Sequence, residues 1–176
     1  MVSDAGPLIH LAQINKLHLL QKLFKHVSIV PEVKCEAFDE GIRLGHAEAK
    51  AIGKALKEGW LKVEDTPRSA ASATKKLVKD ENISLTDAKT LILARASNAA
   101  TLVDEKALSD IAKMFSLKTW NTWTVLLESL SRRFINTSDV ESAMTELGAK
   151  GHKLKERQAA EILKAARAIT SGKQAD

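Results

Sequence analysis

The sequence predicts an α/β fold: a three-layer α/β/α sandwich with a central parallel sheet of four to five strands, followed by C-terminal helices. Three observations carry that expectation. Short β-rich apolar runs alternate with segments of helical apolar period, the pattern of parallel β-α-β units. One such run, Val27-Ser-Ile-Val30, is short and apolar enough to fit a buried parallel strand. From Ile135 onward the β-rich runs stop and only helical patterns continue.

Taken in order, Met1-Val-Ser-Asp4 reads as a first strand with an acid at its carboxyl end. Gly6-Pro7 then opens a helix carrying Leu8, Ile9, Leu11, Ala12 and Ile14, because proline is tolerated in a first turn whose N–H groups have no partner. Leu17, Leu19, Leu20, Leu23 and Phe24 mark a second short helix, and Val27-Ser-Ile-Val30 a second strand. Pro31 starts the next helix, with Val33, Ala37, Phe38 and Ile42 inward and Gly41 and Gly45 at its end. His46–Glu58 is an alanine-rich helix and Trp60–Val63 a third strand. Thr66–Asn82, polar and small, reads as a loosely held helix or a mobile flap. Ser84–Asn98 is a helix, Ala100–Val103 a fourth strand ending at Asp104, Glu105–Phe115 a helix and Leu117–Trp120 a short fifth strand. Asn121–Phe134 is a helix capped by Asn121 or Thr122. Ser138 and Glu141 have capping-box spacing for a helix to about Leu147, broken by Gly148 and Gly151. Lys153–Ile169 is a last basic amphipathic helix. The expected boundaries are residues 1–134 for the α/β domain and 135–176 for a helical extension packed on it.

The 176 residues suffice for a full core, and 44% apolar with 28% charged residues is ordinary for a globular chain. No apolar run approaches the roughly 20 residues of a membrane span, and no signal peptide is visible. Cys35 is the only cysteine, which excludes an internal disulfide and a cysteine-based zinc site. A reducing cytoplasm is the expected location. The formal charge of +5 weakly favours a polyanionic partner.

Asp4, Asp87 and Asp104 end or follow a strand or open a helix. Each alone also suits a plain structural role: Asp4 and Asp104 fit helix N-caps, and Asp87 stands three residues after Ser84 in capping-box spacing. Glu36 lies inside a helix, four residues from both Glu32 and Glu40, where like charges repel. A solvated acidic face or a nearby cation would accommodate it. Jointly the pattern says more. In a parallel sheet the strand ends before Asp4 and Asp104 lie along one edge, and the helices starting at Pro31 and Ser84 open from it. Four carboxylates brought together repel and call for a divalent cation. Hard oxygen donors favour Mg²⁺ or Mn²⁺, and paired cations of this kind serve in-line attack on phosphodiesters.

Ser3-Asp-Ala-Gly-Pro-Leu-Ile-His-Leu-Ala12 resembles the opening of PIN domains, especially the prokaryotic and archaeal group near the VapC toxins. Val30-Pro-Glu-Val-Lys-Cys-Glu36, Leu85-Thr-Asp-Ala-Lys-Thr-Leu-Ile-Leu-Ala94 and Thr101-Leu-Val-Asp104 resemble the second, third and fourth motifs of that family, in order over about residues 1–130. The tail from Ser138 to Ala168 resembles the C-terminal helices of a PIN-like subgroup. The resemblance implies a metal-dependent endoribonuclease, a hydrolase in which Asp4, Glu36, Asp87 and Asp104 hold Mg²⁺ or Mn²⁺. Its implied partners are RNA, an antitoxin protein if the chain is the toxin of a toxin–antitoxin pair, and a second copy in a homodimer. One departure stands out. Relatives carry a further Asp, Asn, Ser or Thr shortly after the fourth acid, or an Arg in the helix that follows. Here the run is Asp104-Glu-Lys-Ala-Leu-Ser-Asp110, with Glu105 and Ser109 as off-register substitutes and Lys106 as a cation that would compete with a second metal. The alternative is therefore a PIN-fold RNA-binding or assembly module with weak or absent nuclease activity.

The five histidines have no metal-ligand spacing. Cys35 reads as a small buried thiol. Lys75, Lys76 and Lys79, and the basic tail from Lys150 to Arg167, suit either RNA phosphates or solvated helix faces. Trp120 and Trp123 suit base stacking or, more often, core and dimer contacts.

Overall fold

The structure, a computed structural model, describes residues 1–172. Its chain divides into two compact units, residues 1–122 and the helical remainder from Trp123. In the first unit five parallel strands form one sheet in the order β3-β2-β1-β4-β5: β1 Val2–Ser3, β2 Val27–Ile29, β3 Leu61–Val63, β4 Thr101–Leu102 and β5 Thr119–Trp120. β1 is central. The chain winds outward from it through β2 to β3, then returns to pair β4 on its other side, with Val2 opposite Ser28 and Thr101. The strand order thus reverses between β1 and β4, and in open α/β sheets the crevice beyond the carboxyl ends of such strands is where ligands bind.

Helices pack over the sheet, whose strands mix apolar residues with Ser3, Ser28, Lys62, Thr101 and Thr119. Val2, Val27, Ile29, Leu61 and Leu102 are buried. On one side α1 (Ala5–Gln13), α5 (Ala47–Lys57) and the helical stretch between them pack on one another. On the other, α6 (Ala71–Glu81), α7 (Leu85–Ala96) and α8 (Lys106–Met114) close over Leu77, Ala88, Leu91, Val103, Leu108, Ile111 and Ala112. Within the polar segment expected as a loose helix or flap, Ala71–Glu81 is a regular helix, with Thr74 and Leu77 of α6 buried. α2 (His18–Phe24) lies against β2, and its Phe24 meets Trp120 edge to face, ring centroids 5.0 Å apart. Trp120 is a packing residue here.

The helix from Pro31 is interrupted. α3 (Pro31–Lys34) widens into a π-helical segment, Cys35–Glu40, before α4 (Gly41–Arg43). Two expectations fail in this stretch. Ile42 is 48% exposed, and Gly41 takes the inward position instead. Gly41 does not end the helix; Gly45, at φ +75°, follows its end. A Cβ at Gly41 would stand 2.8 Å from the Cβ of Ala49, so α5 packs here only against a bare backbone. Cys35, expected buried, is exposed.

The second unit holds most of α9 (Thr122–Ser131), then α10 (Thr137–Ala149) and α11 (Glu156–Ser171). Leu130, Val140 and Ala166 form its core, with Leu127, Ile135, Ile162 and Ile169 around them. The cap of α10 lies two residues earlier than Ser138. Asn136 accepts the Asp139 N–H at 3.0 Å, and the Asp139 carboxylate accepts the Asn136 N–H at 2.9 Å. α10 continues through Gly148, where a Cβ would meet nothing within 4 Å, and Gly151 takes the left-handed turn beyond its end.

These two helical glycines are expected to respond oppositely to alanine. Gly41→Ala drives a methyl into Ala49 and should cost about 1–3 kcal/mol. Gly148→Ala meets open space and should add about 0.5–1 kcal/mol. Urea midpoints moving down for the first and up for the second check the helix contact; equal shifts would contradict it.

Candidate metal centre

Asp4 follows β1 directly. Its N–H donates to the Leu102 carbonyl at 3.0 Å, so the residue is pinned beside β4. It occupies the N-cap position of α1, yet its side chain makes no cap hydrogen bond. The sequence explains this. A cap acid normally accepts from the second or third helical N–H, and the third residue is Pro7, which has none. Gly6 adds no side chain to crowd the carboxylate; its Cβ would come within 3.9 Å of Asp4 Oδ2. Burial pushes the Asp4 carboxyl up to about 6 from an ordinary 3.8. The nearby N–H groups of Ala5 and Gly6 oppose the rise, while the charges of Asp87 and Glu36 add to it.

Glu36 lies in the π-helical segment and is exposed. Its carboxyl is also raised, by partial burial and then by the charges of Glu40, Asp87 and Glu105. The other nearby acid of its helix is neutralised: Lys89 reaches across from α7 to Glu32 at 2.6 Å and to Asp65 at 3.4 Å. A cation is therefore present beside Glu32, four residues from Glu36.

Asp87 does close the capping box. Its N–H donates to Ser84 Oγ at 3.0 Å, and its Oδ2 accepts from Ser84 N–H and Oγ–H at 3.2 and 2.8 Å. All of these carboxylate bonds fall on Oδ2, which leaves Oδ1 free for another partner.

Asp104 is held differently. Its Oδ1 accepts the Thr122 N–H at 2.8 Å; its Oδ2 accepts the Thr122 hydroxyl at 2.7 Å and shares a 2.6 Å hydrogen bond with His10 Nδ1. A carboxylate offers about four lone-pair positions, and three are engaged. Asp104 thus binds Thr122, the first residue of α9, from outside that helix. His10 and Thr122 were not legible as site residues. The only signal was a hydroxyl residue opening the helix after the strand next to β4.

The structure therefore brings Asp4, Glu36 and Asp87 within one another's electric field, with Glu105 beside Glu36, and sets Asp104 in its own hydrogen-bonded group. Lys106 is paired with Asp110 one turn along α8, not with the acids. Among the described residues no three His, Cys, Asp or Glu side chains converge closely enough to grip a metal. Hard carboxylate donors that raise one another's pKa suit a divalent cation, because a cation removes the repulsion that raises them.

A family model described as DUF3368, PIN domain, matches residues 1–168. No curated protein and no solved structure matches the chain.

A carboxyl whose native pKa exceeds its unfolded value binds more protons folded than unfolded. Stability then falls as pH rises through that interval. For Asp4 the interval runs from 3.8 to about 6. In chelator, Asp4→Asn is expected to be more stable than wild type at about pH 8, by up to about 3 kcal/mol. That advantage should shrink as pH falls toward about 4. Urea midpoints across this range test it; a difference independent of pH would refute the strained carboxylate.

Proposed function

The chain belongs to the PIN-domain family, and on that premise we propose that it is a Mg²⁺- or Mn²⁺-dependent endoribonuclease that hydrolyses RNA phosphodiester bonds. PIN domains are generally nucleases, and the finer assignment draws support from one observation above the others. Asp4 stands at the strand-order reversal with its carboxyl pushed up to about 6, uncapped, in the field of Asp87 and Glu36. A lone capping acid would not stand in the field of two further carboxylates; this one does.

In this reading Asp4, Glu36 and Asp87 hold the cation, and Asp104 joins them by the family resemblance. When bound, the cation lowers the pKa of a coordinated water and stabilises charge developing on the scissile phosphate. The protein's own groups do the positioning. The bond from Asp4 N–H to Leu102 fixes where one carboxylate sits. Ser84 holds Asp87 by one oxygen and leaves the other outward. His10 and Thr122 fix the plane of Asp104. Lys89 neutralises Glu32, so that this acid does not compete for the cation. The pairing of Lys106 with Asp110 keeps its ammonium engaged on its own helix. A toxin role, an antitoxin that fills the acidic cleft, and a homodimer belong to this proposal through the family resemblance.

A second reading has one specific observation in its favour. Three of the Asp104 lone-pair positions are engaged, as suits a structural acid. A PIN-fold RNA-binding or assembly module with weak chemistry would have that feature.

The deciding experiment is cleavage of a mixed single-stranded RNA pool in Mn²⁺, with a chelator control and the variants Asp4→Asn, Glu36→Gln, Asp87→Asn and Asp104→Asn. The nuclease reading expects cleavage by wild type, none in chelator, and losses of about 10²-fold or more for the first three, the order seen when a group that stabilises transition-state charge is removed. Calorimetric Mn²⁺ titration should show weaker binding in the same three. No cleavage by folded wild type would leave the second reading.

A further inference from the structure

α6 turns a row of unpaired cations outward beside the start of α7. Thr74 and Leu77 face the core, so helical period sends Lys75, Lys76 and Lys79 to the opposite side, and all three are exposed. Lys75 and Lys79 are four residues apart, and Lys76 and Lys79 three; like charges at these spacings repel. Among the described residues none of the three makes an ion pair or a side-chain hydrogen bond. Other lysines of this unit do: Lys34, Lys54, Lys89, Lys106 and Lys113 each hold a carboxylate. Lys76 even stands four residues before Asp80, in register for a helix pair, and no pair forms.

The position of this row matters as much as its charge. α6 packs on α7 through Leu77 and Val78. Asn82, in the left-handed conformation at φ 52°, ends α6, and Ser84 opens the capping box that holds Asp87. The carboxyl end of α6 and the acid-bearing start of α7 are therefore joined by the short turn at residues 82–84. Lys75 and Lys79 are about 6 Å apart along the axis at 1.5 Å per residue, so the row runs along α6 toward that turn.

We propose that Lys75, Lys76 and Lys79 bind the phosphodiester backbone of single-stranded RNA and lead the strand toward the acids at the start of α7. The proposal deepens the ribonuclease reading and rests on it for direction; the contact itself does not require cleavage. A polyanion relieves the repulsion along α6, and three ammonium groups displacing condensed counterions give binding that falls steeply with salt.

The test is fluorescence anisotropy of an end-labelled single-stranded RNA in chelator, so that nothing is cut, across a range of potassium chloride concentrations. The proteins are wild type, Lys75→Gln/Lys76→Gln/Lys79→Gln, and a control with Lys150→Gln/Lys153→Gln/Lys164→Gln. The α6 variant is expected to bind at least 10-fold more weakly at moderate salt, with a log–log salt slope shallower by about 2, as three lost phosphate contacts at about 0.7 each require. Its urea midpoint should equal or slightly exceed that of wild type, because the repulsion along α6 is gone. The control should bind like wild type. Unchanged affinity and slope, equal loss in the control, or no binding by wild type would each overturn the proposal. Asp4→Asn, which tests the nuclease reading, should bind RNA at least as tightly as wild type. No cleavage by folded wild type, with the α6 effect on binding retained, would sink the nuclease reading and keep this one.

Discussion

The pairing of β1 with β4 is the constraint on which the rest of the site depends. These two short strands are not neighbours in sequence; about a hundred residues separate them, and the other strand pairs form around them. The bonds from Val2 N–H to Ala100 and from Asp4 N–H to Leu102 close the reversal in strand order. Because the pair is parallel, both chains leave it in the same direction, and both leave it on an aspartate or one residue before one. β2 lies on the far side of β1 and sends α3 out from the same edge. A slip of one residue in the register would turn Asp4 toward a buried layer, where no cation or water compensates a carboxylate.

The acids around that edge are neutralised in two distinct ways. Glu32 and Asp65 take Lys89, and Asp110 takes Lys106 and Lys113. These pairs lower local repulsion at little net gain, as surface ion pairs do. Asp4, Glu36 and Asp87 have no lysine or arginine partner among the described residues, although Lys89 is two residues from Asp87. The unit thus has cations available and spends them on the acids outside this group. A set of carboxylates left to repel one another is a local cost to the fold, and costs of that kind persist where function requires them.

How much of this was legible in the sequence follows from how local each cause is. The five strands were readable because short β-rich runs alternate with helical patterns, and the starts of α1 and α7 because Pro7 and Ser84 carry their signals within one turn. Long-range packing erased the rest. Gly41 looks like a helix end until Ala49 approaches from α5. Ser138 looks like a cap until Asn136, two residues earlier, forms a better one with Asp139. Cys35 looks like a buried thiol until the π-helical segment turns it outward. Leu77 of α6, flanked by lysines and small residues, gives a weak helical signal, and its burial depends on partners in α7 and α8. The partners of Asp104 come from α1 and from the start of α9, and no spacing in the sequence links them.

Asp104 and Asp4 make an informative contrast because they look alike in sequence: each follows a β-run and precedes a helix. Asp4 makes no regular cap bond, and Pro7, the third residue of its helix, removes one of the N–H groups that a cap uses. Asp104 finds donors outside its own helix, in the backbone and hydroxyl of Thr122 and in His10. The first is therefore a charge with lone pairs to give; the second is a charge already shared among three donors. Removing Thr122 or His10 would not leave Asp104 inert. The carboxylate keeps its charge either way; the bonds from Thr122 and His10 fix its orientation and occupy lone pairs that another donor would otherwise meet.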